Sequence, residues 1–103
     1  MDIKEIQNKV FDVAIKRSKL RNFNLDEEIC LIHLMEEVGE LASQIYNKKA
    51  RPDKFDKDNL DEEICDVILE SLILAKLLNV DLDRKLNEKI DIINERLKKY
   101  ESK

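Results

Sequence analysis

A single glycine, Gly39, and a single proline, Pro52, stand among the 103 residues of this chain. Tight hairpins turn on residues that accept positive φ, above all glycine, so a series of strands joined by short turns has almost no material here. Leu, Ile, Lys and Glu dominate instead, which favours helices. The expected fold class is all-α, and the length suits one domain, residues 1–103, with a modest core.

Apolar spacing divides the chain into four helices. Ile3, Ile6, Val10, Val13 and Ala14 recur at helical intervals from about Asp2 to Lys19, with Asp2 and Glu5 as an N-terminal capping pair. Asn24 and Glu27 repeat that pattern and open a second helix reaching about Tyr46, whose core stripe is Leu31, Leu34, Met35, Val38, Leu41, Ala42 and Ile45. Asn47 to Asp58 is polar, holds the proline and lacks helical periodicity, so it is expected to be a loop. Asn59 and Glu62 open a third helix to about Asn79, and Asp81 caps a fourth carrying Leu82, Leu86, Ile90, Ile93, Leu97 and Tyr100 on one stripe. Short links between four helices predict an antiparallel four-helix bundle. From Val67 to Leu78 only Glu70, Ser71 and Lys76 interrupt the apolar residues, which three partner helices from so short a chain can barely cover, so a homo-oligomer is expected, the alternative being a central helix in a monomeric bundle.

Composition narrows the function classes. A formal charge of −4 repels phosphate backbones, so nucleic acid is not an expected partner. No apolar run approaches the ~20 residues that cross a bilayer and the first residues lack a signal peptide's pattern, so a cytoplasmic protein without membrane contact is expected. Cys30 and Cys65 have no CxxC spacing and no adjacent histidine, so both are expected as inert core thiols.

The second and third helices carry the chemistry. Positions three apart lie about 60° apart on a helix, so Glu37 and Glu40 share one face, as do Glu63 and Asp66. Glu37 lies about 40° from Leu41, at the margin of the apolar stripe, whereas Glu36 lies further round toward solvent. Two facing carboxylate pairs repel unless a cation sits between them, and oxygen-only donors favour hard ions, with Mg²⁺ the first expectation. Ordinary solvated helix faces are the competing reading. A di-iron bundle needs ExxH motifs, but the only histidine, His33, has Cys30 three residues before it. His33 stands one turn before Glu37, within reach of that carboxylate or of a substrate.

Glu36-Glu37-Val38-Gly39-Glu40-Leu41 followed by Glu63-Ile64-Cys65-Asp66-Val67 resembles the EExxE and ExxD motifs of the MazG-like nucleotide pyrophosphohydrolases, over roughly Asn24 to Arg96. The resemblance implies an all-α enzyme, dimeric or tetrameric, that hydrolyses a nucleoside triphosphate to the monophosphate and pyrophosphate with Mg²⁺, or Mn²⁺ in its place. Glu37, Glu40, Glu63 and Asp66 take the places of its metal ligands and catalytic carboxylates. Lys89 and Arg96 match a basic pair that helps to hold the triphosphate, and Asn94 falls one position late for the asparagine between them. A helix-interior glycine costs ~1 kcal/mol relative to alanine, so Gly39 points to a close approach. Glu70 stands where many relatives have an apolar residue and is read as a polar group at an oligomer interface, the alternative being an added carboxylate near the metal. A helical interaction module without catalysis, or an enzyme dedicated to phosphoribosyl-ATP or dUTP, are the other functional readings.

Overall fold

A computed structural model describes residues 2–102. Four α-helices account for most of them: α1 (Ile3–Leu20), α2 (Glu27–Ala50), α3 (Lys57–Leu77) and α4 (Leu82–Glu101). A 3₁₀ turn, Pro52–Lys54, links α2 to α3, and no strand occurs among the described residues. None of the described helices is long and apolar enough to cross a membrane.

Aspartates start every helix. The side chains of Asp2, Asp26, Asp56 and Asp81 accept the backbone N–H three residues on, from Glu5, Ile29, Asn59 and Arg84 at 2.8–3.2 Å. The caps expected at Asn24 and Asn59 therefore fall to neighbouring aspartates, because a carboxylate gains from the helix dipole where a neutral amide does not. Asparagine does act at the other ends. Asn22 and Asn79 adopt φ of 57° and 56°, and just beyond them Phe23 N–H and Val80 N–H donate to the Ser18 and Ala75 carbonyls at 3.1 and 2.9 Å. These are left-handed helix stops that usually fall to glycine. The lone glycine lies inside α2 with no Cβ-blocking neighbour within 4 Å, so the close approach expected at Gly39 is not made within the chain.

The expected loop is largely helical. α2 runs on to Ala50, with Lys48 and Lys49 at its negative end, and stops where Pro52 forces Arg51 out of helical geometry. Arg51 folds back over the Tyr46 ring at 5.2 Å, and Lys48 lies over Phe55 at 6.0 Å.

α3 is the spine. At the α2–α3 turn the Asp56 N–H donates to Gln44 Oε1 at 3.1 Å. Further along, Glu37 meets Glu63 and Cys30 lies near Glu70, so the two helices are antiparallel. α1 also runs antiparallel to α3, on its C-terminal part, since Lys76 Nζ sits 5.0 Å over Phe11 and Arg17 reaches Glu70. α1 and α2 thus follow one another along α3, and at their junction Ala14, Cys30 and Ile73 are buried. Val10, Phe11, Leu25, Leu74 and Leu77 close around them.

The expected four-helix packing is not completed within the chain. α4 meets α1, and every residue from Asp83 to Glu101 is exposed. Its apolar stripe has no cover: Leu86, Ile90, Ile93, Leu97 and Tyr100 are 42–78% exposed. The stripe expected to form the α2 core is also open at Leu31, Met35, Val38 and Ile45, and α3 leaves Ile64 and Ile68 uncovered. The radius of gyration, 17.2 Å, exceeds the about 13 Å expected of a compact domain of this length. Cys30 is buried as expected, whereas Cys65 is exposed, because it lies on the outer face of α3 beside Ile64.

Candidate metal centre

Two helices aim their acidic faces at one another midway along the α2–α3 pair. Glu37, Glu63 and Asp66 each present an oxygen within 4.8 Å of the others. Glu63 is only 6% exposed, and Glu37 and Asp66 are half-buried. Glu40 is exposed at the rim, with its carboxyl in hydrogen-bonding reach of Glu63. All four carboxylates singled out by spacing are therefore gathered, while Glu36 faces away on the exposed side.

Their electrostatics record the crowding. Burial pushes the Glu37 carboxyl above its ordinary value, helped by the charges of Glu40, Asp66 and Glu70 and opposed by a hydrogen bond with Glu63. Glu63 is raised first by burial and then by Glu37. Glu40 is raised chiefly by its contact with Glu63. Carboxylates this close share protons or take a cation, because both forms of relief remove like charge from a site with little water. Oε2 of Glu37 and of Glu63 is buried without a hydrogen-bond partner. A divalent ion fits such a donor set, since it offers positive charge and accepts several carboxylate oxygens at once.

His33 lies beside this group but turns from it. Its ring is half-buried and packs edge-to-face on Phe23, centroids 6.3 Å apart, and no hydrogen bond to Glu37 is formed among the described residues. Phe23, Ile29, Ile32, His33 and Glu36 border a small hollow of about 170 Å³. The basic residues expected to hold phosphate stand apart. Lys89, Asn94 and Arg96 are exposed on α4, and neither Lys89 nor Arg96 forms an ion pair among the described residues.

Glu70 does not occupy an interface surface. It is 9% exposed inside the chain, and Arg17 Nη2 stands 3.6 Å from its Oε1. Sequence reading passed over Arg17, because α1 carries several basic residues and only the packing of α1 on α3 separates this one from its solvated neighbours. The signal available was Glu70 itself: an acid on the buried face of an apolar helix needs a counter-charge.

Residues 24–102 match the family model described as MazG nucleotide pyrophosphohydrolase domain. No curated protein matches the chain.

Proposed function

This chain belongs to the MazG nucleotide pyrophosphohydrolase domain family, and from that premise we propose that it hydrolyses a nucleoside triphosphate to the monophosphate and pyrophosphate with Mg²⁺. The observation that carries the reading is the meeting of Glu37, Glu63 and Asp66 within 4.8 Å, with buried oxygens that have no partner. Together with Glu40 at the rim they would hold the ion, and Mn²⁺ suits the same oxygens.

When bound, the ion supplies Lewis acidity and offsets phosphate charge. The chain's own residues do the rest. Glu63, enclosed between the helices, fixes the position of the acidic face, and Glu37 and Asp66 flank it. A carboxylate of this group that is not fully engaged with the ion accepts the proton of the attacking water. Pyrophosphate is the leaving group.

We further propose that the working form holds at least two copies. The open stripes on α2, α3 and α4 are larger than single apolar side chains scattered on a surface. Lys89 and Arg96 border the α4 stripe, so burial of that stripe by a second copy would carry two cations into the interface. A homodimer or homotetramer satisfies both requirements.

The deciding experiment measures pyrophosphate release from canonical and modified nucleoside triphosphates with Mg²⁺ or Mn²⁺, for the natural chain and for Glu63→Gln. Release that depends on both the ion and Glu63 supports the reading. No release from any of them by the natural chain overturns it.

A further inference from the structure

The carboxylate group does not end at Asp66. Glu63, Asp66 and Glu70 follow one another at three- and four-residue intervals on α3, so they form one file along a single face. Glu70 continues it by about 6 Å toward α1. At that end stands Arg17, the basic side chain that ion-pairs with the file.

This ion pair is incompletely satisfied on both sides. Its 3.6 Å separation is too long for a hydrogen bond, although guanidinium and carboxylate usually meet through two short parallel ones. Arg17 Nε is buried with no acceptor, and Oε2 of Glu70 is buried with no donor. The Glu70 side chain is 12% exposed, whereas that of Arg17 is 35% exposed and open to an arriving molecule. The guanidinium is thus held at one edge with most of its donors unused.

Charge balance supplies the reason for such a group. Glu37, Glu40, Glu63 and Asp66 carry four negative charges when ionised, and one divalent ion offsets two of them. A nucleoside triphosphate brings several more, so a nearby cation is needed for the phosphates to stay. On α2 and α3 the residues around the cluster offer none.

We propose that Arg17 is a substrate-binding residue that takes a phosphate oxygen at the α1 end of the carboxylate file, with Glu70 as the positioning residue that holds its guanidinium there. The proposal rests on the triphosphate reading given above and adds to it a phosphate contact from α1 of the same chain.

Calorimetric titration of a non-hydrolysable α,β-imido nucleoside triphosphate with Mg²⁺ tests it. Arg17→Ala should weaken the analogue about tenfold or more while Mg²⁺ alone binds as in the natural chain, and Arg17→Lys should recover part of the loss. Phenylglyoxal modification of Arg17 in the unaltered protein, read by mass spectrometry, should be slowed by the analogue with Mg²⁺ and not by Mg²⁺ alone. Unchanged analogue affinity in Arg17→Ala, or equal modification with and without analogue, makes Arg17 a structural partner of Glu70 only and overturns the proposal. If the natural chain binds Mg²⁺ but not the analogue, the triphosphate reading itself fails and the Arg17 assignment falls with it.

Discussion

Glu63 shows at the scale of one residue how stability and chemistry oppose each other. It occupies a core position on α3 where an apolar side chain would pack without penalty, and it is raised by burial and by Glu37. Glu63→Gln should therefore raise the melting midpoint of the metal-free protein, remove most of the rise that Mg²⁺ produces, and lower pyrophosphate release by more than about 100-fold. A lower midpoint together with intact release would refute the role given to it. The pH dependence follows from the same residues. Burial lifts Glu37 and Glu63, and Glu63 lifts Glu40, so in the native state these groups hold protons that the unfolded chain has already lost. Their contribution is complete below the unfolded value of ~4.3 and disappears as pH rises through the raised values. Differential scanning calorimetry without metal should give a midpoint that falls as pH rises above the unfolded value, and saturating Mg²⁺ should flatten that fall. The four carboxylates were legible in the sequence because two short helical spacings determine their faces. Arg17 was not, because its significance depends on which side of α1 meets α3, and amphipathic spacing alone does not say where along a partner helix the contact falls.

At the scale of elements, boundary chemistry is easier to test than helix content. Asp56→Ala removes the cap that accepts the Asn59 N–H at 3.2 Å, and it should cost about 1 kcal/mol, or about 4–8 °C in midpoint. Asn24→Ala should change the midpoint by less than half as much, since Asp26 caps α2 and Asn24 is exposed. Equal losses would return the cap to Asn24. All four helices were legible from apolar periodicity, and Asp2 and Asp81 were legible as caps. The last turn of α2 was hidden, because Asn47 to Ala50 has no apolar residue larger than alanine to mark a buried face, and what holds it is a Lys-bearing C-terminus and the Arg51–Tyr46 contact. The placement of α4 was hidden too. Its stripe is as regular as that of a bundle helix, but a stripe states only that it needs cover and not which chain provides it.

At the scale of the whole molecule, the open stripes predict association. Sedimentation velocity should show a species of at least two copies, and Ile90→Asp with Ile93→Asp should shift it to the single chain while α1–α3 keep their helical signal. Gly39 belongs to the same question. With open space around it in one chain, Gly39→Ala should stabilise α2 by up to about 1 kcal/mol, unless an associated copy approaches there, in which case the substitution weakens association. Concentration-dependent melting separates these results. The two thiols add a practical consequence. Cys30 is sealed in the junction of three helices, and Cys65 is open on the outer face of α3, one position before Asp66. One maleimide-linked spin label or dye can thus be attached per chain without disturbing the interior. The spacing between two such labels gives a molecular ruler across the assembly, and the rate at which Cys65 accepts the reagent acts as a clock for how often that face is bared.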